Sequence, residues 1–106
     1  MLLAVDVGNT QTVFGLYDGS ELGDRWRIAT EAERTGDELG ALLRDFLDFE
    51  TLEGICLSST VPRLIREYEH LAERWMKAPL LVVGPGVKTG IGRPLPSTTG
   101  APPAPV

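Results

Sequence analysis

Residues 2–18 read LLAVDVGNTQTVFGLYD. An apolar run ends on an aspartate, a Gly-Asn pair breaks it, and a hydroxyl-rich restart leads into a second apolar run. LLAVDV is short and apolar, as expected of a strand buried on both faces. TVFGLYD and the following ELGDRWRIAT read as two further strands. The turns Gly8-Asn9 and Asp18-Gly19-Ser20 join the three as consecutive hairpins.

Working outward, Thr35 and Glu38 have the spacing of a capping box. The apolar positions behind it, Leu39, Leu42, Leu43, Phe46 and Leu47, follow the i, i+3, i+4, i+7, i+8 stripe of an amphipathic helix. GICLSS (54–59) reads as a fourth strand, and Pro62 suits the first turn of a second helix. Leu64, Ile65, Tyr68, Leu71, Ala72, Trp75 and Met76 make the stripe of that helix, and APLLVVG (78–84) closes the series as a fifth strand. The order β-β-β-α-β-α-β predicts an α/β fold: three antiparallel strands and two crossover units form a mixed five-stranded sheet carrying two helices. That is the core of the ribonuclease-H-like, or actin-like ATPase, architecture. The lobe is expected over residues 1–91. Residues 84–106 hold five Gly and six Pro, so from residue 92 the chain reads as a disordered or extended tail.

The chain of 106 residues has room for one domain. A net charge of −5, with its basic residues scattered among acids, argues against a nucleic-acid surface. No apolar run reaches the roughly 18 residues of a membrane span. MLLAVDVG is too short and too quickly acidic for a secretory signal, so a cytoplasmic location is expected. The single cysteine, Cys56, excludes an internal disulfide and reads as a small core residue.

In this strand order Asp6 falls at the carboxyl end of the central strand, where open sheets expose their ligand crevice. Burying a carboxylate there without a partner would cost several kcal/mol, about what a Mg²⁺ ion with its waters could offset. The Gly8-Asn9-Thr10 turn points backbone N–H groups outward. With the side chains of Asn9, Thr10, Gln11 and Thr12 it makes a donor-rich cup for phosphate oxygens. Glycine at position 8 permits close backbone approach and a positive φ. Gly-Asn is also ordinary hairpin punctuation. Its place on the first hairpin of this strand order favours phosphate binding.

DVGNTQTVFGLYDG, RWRIAT, TGDELGALL, SSTVP and VVGPGVKTG occur here in the order found in type III pantothenate kinases, which this sequence resembles over residues 1 to about 91. The resemblance implies membership of the acetate-kinase, sugar-kinase, Hsp70 and actin superfamily. It implies transfer of the ATP γ-phosphate to pantothenate, the first committed step of coenzyme A biosynthesis. It assigns Asp6, Gly8, Asn9, Thr10, Gln11 and Thr12 to the first phosphate motif, with Asp6 at the metal. For the complete enzyme it implies ATP, Mg²⁺, a monovalent cation (K⁺ or NH₄⁺) and a homodimer. After VKTG the family continues with a pantothenate-binding segment, a Gly-Ala-Asp-Arg motif whose aspartate is the general base, and a second lobe. Here GIGRPLPSTTGAPPAPV follows instead, so the expectation is a truncated kinase with no catalytic residue of its own. The abrupt change of composition favours a frame change in the coding sequence over a cloning boundary or a divergent natural end.

Other residues leave alternatives open. Lys88, in GPGVKTG, either neutralises phosphate or is a solvated lysine in a loop. Ser58, Ser59 and Thr60 either line the crevice or cap the second helix. His70, among Glu67, Glu69 and Glu73, has no serine or cysteine partner for a triad. Trp26 and Trp75 read as packing residues. The rival functions are a ribonuclease-H-like nuclease, which needs several convergent carboxylates, and a non-catalytic relative: a nucleotide-binding relic or a transcription accessory factor.

Overall fold

The computed structural model describes residues 1–83; the Lys88 loop, the lobe end at residue 91 and the Pro-rich tail lie outside the described residues. Strand β1 (Leu2–Val7) pairs antiparallel with β2 (Gln11–Asp18), which pairs antiparallel with β3 (Glu21–Ala29). On its other side β1 runs parallel to β4 (Gly54–Ser59), and β4 runs parallel to β5 (Leu80–Val83). The sheet order is β3-β2-β1-β4-β5, so β1 is central. Helix α1 (Gly36–Leu43) connects β3 to β4, and α2 (Pro62–Leu71) connects β4 to β5. This is the mixed α/β topology expected from the element order.

Local chemistry explains the element ends. Thr35 and Glu38 form a complete capping box: the Glu38 amide donates to Thr35 Oγ1 at 3.1 Å, and the Thr35 amide to Glu38 Oε1 at 2.8 Å. At the start of α2, Pro62 takes a first-turn position where a missing N–H costs nothing. The last turn of that helix widens into a π turn over Ala72–Met76, and Lys77 ends it in the left-handed region at φ 54°.

Strand alternation sends Leu3, Val5, Val7, Phe14, Leu16, Ile55 and Leu57 to one face of the sheet. Leu39 and Leu43 of α1 and Leu64, Tyr68 and Leu71 of α2 join them there in one core. Both helices therefore cover the same face. The expectation that β1 is buried on both faces fails for this reason: Leu2 and Ala4 are half-buried and Asp6 is exposed among the described residues. Cys56 follows the same alternation, half-buried on the open face rather than sealed in the core.

Helix α1 is shorter than its apolar stripe. It ends at Leu43, and the next turn swings Phe46 out to stack on Trp26, which in turn stacks on Phe14, each pair of rings 5.5 Å apart. Leu47 still returns to the core. The Trp26 Nε1–H is buried in this sandwich without an acceptor among the described residues.

Candidate functional site

The β1–β2 connection is a tight turn at the carboxyl end of the central strand. The Gly8 amide donates to the Gln11 carbonyl at 2.9 Å, leaving Asn9 and Thr10 at the tip. A Cβ at Gly8 would sit 3.1 Å from that carbonyl oxygen. Close approach is thus the reason for glycine. The expected positive φ is absent here; among the described glycines only Gly19 has one, at 64°.

Neighbouring strands pin the turn from both sides. The Thr30 amide donates to the Thr10 carbonyl at 2.9 Å, and the Thr60 amide to the Val7 carbonyl at 3.0 Å. Thr60 Oγ1 lies 3.3 Å from both the Val7 carbonyl and Asn9 Oδ1, so its one hydrogen serves two acceptors. The amides of Asn9 and Thr10 have no acceptor among the described residues. A pinned turn with two adjacent amides that lack an internal acceptor is the kind of backbone feature that can take up an anion.

Asp6 stands beside this turn on the open face, between Val13 of β2 and Ser58 of β4. It is exposed and makes no hydrogen bond or ion pair among the described residues. The burial cost anticipated from the sequence therefore does not arise, because water reaches the carboxylate. Gln11 is also exposed, and its Oε1 accepts from Arg27 Nη1 at 2.9 Å.

Thr12 parts from the set. It is 2% exposed, faces the helices, and its Oγ1 lies 2.8 Å from Thr30 Oγ1. With period-two alternation Gln11 and Thr12 cannot share a face. Asp6, Gly8, Asn9, Thr10 and Gln11 form one surface, and Thr12 supports it from beneath. Nearby, burial pushes the Tyr68 phenol well above its ordinary range, with Arg34 and Thr12 opposing.

The three hydroxyl residues that end β4 divide as well. Ser59 Oγ bonds both the amide and the carbonyl of Val61 at 2.9 Å, a turn that leads into α2. Ser58 lies beside Asp6, and Thr60 braces the turn. His70 and Trp75 belong to a separate contact: His70 Nε2 is 3.0 Å, and Trp75 Nε1 2.9 Å, from Asp37 Oδ1. Sequence reading missed Arg27 and Thr30. Both lie in RWRIAT, and their directions follow only from the register of that strand against β2.

Two hollows among the described residues lie away from the turn. A crevice of about 10 Å³ among Thr12, Ile28, Arg34, Leu64 and Tyr68 holds one water at most. A shallow depression of about 400 Å³ lined by Glu69, Glu73, Lys77 and Leu80 lies at the start of β5, the opposite end of the sheet.

Sheet order and crossovers define the class: a lobe of the ribonuclease-H-like and actin-like kind, with a tight first hairpin at the carboxyl end of its central strand. The RuvC structure from Thermus thermophilus shares the fold, with a TM-score of 0.51 over 79% of this chain and 63% of that one, at 14% identity. The family model for type III pantothenate kinase matches residues 2–101, and the chain belongs to that family. It is 48% identical over 96 residues to the type III pantothenate kinase of Acidothermus cellulolyticus and 46% identical over 96 residues to that of an Exiguobacterium strain. Each match covers 86% of this chain and 38% of the relative, so the chain spans about two-fifths of the length of these curated relatives.

Proposed function

We propose that this lobe is the polyphosphate-binding wall of an ATP-dependent kinase whose acceptor, in the whole enzyme, is pantothenate. One observation carries the reading: the Asn9 and Thr10 amides, without acceptors among the described residues, sit on a braced turn beside an exposed Asp6 that has no partner among them. Phosphoryl transfer needs its phosphates positioned and their charge neutralised before any bond changes. The amides and the Gln11 side chain would hold phosphate oxygens. Asp6 would hold Mg²⁺ brought by the nucleotide, which that metal favours, taking one or two carboxylates plus phosphate oxygens. Bound there, the metal would supply charge neutralisation of the phosphates. The family resemblance also implies K⁺ or NH₄⁺ and a homodimer for the complete enzyme, and a cytoplasmic setting. No helix among the described residues is long and apolar enough to cross a membrane.

A nuclease reading has less support, because two-metal cleavage requires convergent carboxylates. The ladder neighbours of Asp6 are Val13 and Ser58. Without a general base on the described surface, the lobe binds but does not turn over. The test is calorimetric titration of the purified chain with MgATP, alongside a pantothenate phosphorylation assay. Binding by the wild type, its loss in Asp6→Ala and no phosphopantothenate from either are the expected results. Equal binding by Asp6→Ala would remove the reading.

A further inference from the structure

Gln11 is anchored in a way that its own sequence motif does not explain. Its Oε1 accepts from Arg27 Nη1 at 2.9 Å. A guanidinium only donates, so the Gln11 atom facing it has to be the carbonyl oxygen. The Gln11 NH₂, with two donors and no acceptor, is thereby turned away from Arg27. An amide held in this orientation suits an anion and rejects a cation.

Arg27 itself lies on the same open face. The register runs Arg27–Val13–Asp6–Ser58 across four strands. Two strand spacings put Arg27 and Asp6 about 10 Å apart at the backbone. Arg27 is exposed and makes no ion pair among the described residues, so its charge is not neutralised within the lobe. The turn tip, with the Asn9 and Thr10 amides, lies beyond the middle of this row, where β1 leads into β2. A positive charge on β3 and a carboxylate on β1 thus both stand on the open face just below the turn. The guanidinium has further donors beyond the one given to Gln11.

We infer that Arg27 is a polyphosphate-binding residue, which orients Gln11 with one nitrogen and meets phosphate oxygens with its remaining donors. The inference rests on the proposed polyphosphate role of the turn. It adds a charge that the hairpin motif lacks, since residues 8–12 contain no Lys or Arg. Arg25, one row further from the turn and opposite Gly15, is the matching control: same charge, same face, no contact with Gln11.

The experiment titrates the 106-residue chain with inorganic tripolyphosphate and with MgATP at several salt concentrations. Loss of a hydrogen bond to a charged group predicts that Arg27→Gln weakens both ligands by about tenfold or more. The salt dependence of its affinity becomes shallower, because one screened charge has gone. Arg27→Lys recovers part of the affinity, and Arg25→Gln behaves as wild type. Thermal unfolding of all three variants stays close to wild type, since both side chains are exposed. Wild-type affinity in Arg27→Gln, an unchanged salt slope, or an equal loss in Arg25→Gln would each overturn the inference while leaving the hairpin reading in place. A wild-type chain that takes up neither ligand is the distinct failure of the hairpin reading, and removes both.

Discussion

Asp37 accepts two hydrogen bonds through a single oxygen, Oδ1, and this sets its acidity. The Trp75 indole, first, and His70 hold its carboxyl below the ordinary value of 3.8. A carboxylate with a depressed folded value stabilises the fold above its ordinary value. That contribution is lost as pH falls through the folded value. Wild type is therefore expected to melt above Asp37→Ala at about pH 5, with the two melting temperatures converging as pH drops below 3.8; calorimetry at several pH values checks this. A gap of constant size down to the lowest pH would mean that the charge of Asp37 plays no part. At the same scale, the sequence disclosed residue types better than their directions. Asp6 and Gln11 lie on the open face and Gly8, Asn9 and Thr10 in the turn beside them, because a turn is local. Thr12 does not, since its direction depends on which face of the sheet receives the helices.

Between the two helices the contact is made by glycine against aromatic ring. A Cβ at Gly40 of α1 would lie 2.2 Å from Trp75 Cδ2, and one at Gly36 would lie 2.6 Å from the Glu67 carbonyl oxygen. Alanine has the better helix propensity, by about 1 kcal/mol. The overpacking term is larger, because the indole is tied to Asp37 and cannot slide away freely. Gly40→Ala is predicted to destabilise the chain by about 2 kcal/mol net, read from urea denaturation. An increase in stability would show that the ring repacks at no cost. The capping box of α1 was legible because Thr35 and Glu38 are three residues apart and bond each other. The glycine seam was not: Gly40 and Trp75 meet only after β4 has brought α2 alongside. Helix α1 likewise stops short of its stripe because Phe46 finds Trp26 on β3, a partner that periodicity cannot name.

Taken whole, the lobe is one-sided. Core and helices occupy one face, while the other presents Leu2, Ala4, Val13, Gly15, Tyr17, Cys56 and Ser58, with Leu22 and Leu81 exposed at 42% and 56%. A sheet with an uncovered apolar face tends to find cover. The purified chain is predicted to self-associate as its concentration rises, and Leu22→Lys combined with Leu81→Lys should reduce this in static light scattering. A monomer at every concentration would count against it. Strand order was legible from seven local signals in succession, and it was enough to give the α/β class and the central place of β1. Which face the helices take was not legible, because LLAVDV offers apolar residues to both. The same ambiguity hid Arg27, whose direction follows only from its register opposite Val13.

The two indoles of this chain occupy opposite surroundings, and that makes each a built-in optical label. Trp26 is sandwiched between phenyl rings with a buried N–H that has no acceptor among the described residues, so its emission belongs at short wavelength. Trp75 touches solvent and a carboxylate, so its emission belongs further to the red and responds to acid. One spectrum can therefore report separately on the hairpin sheet and on the helix seam, with no dye attached.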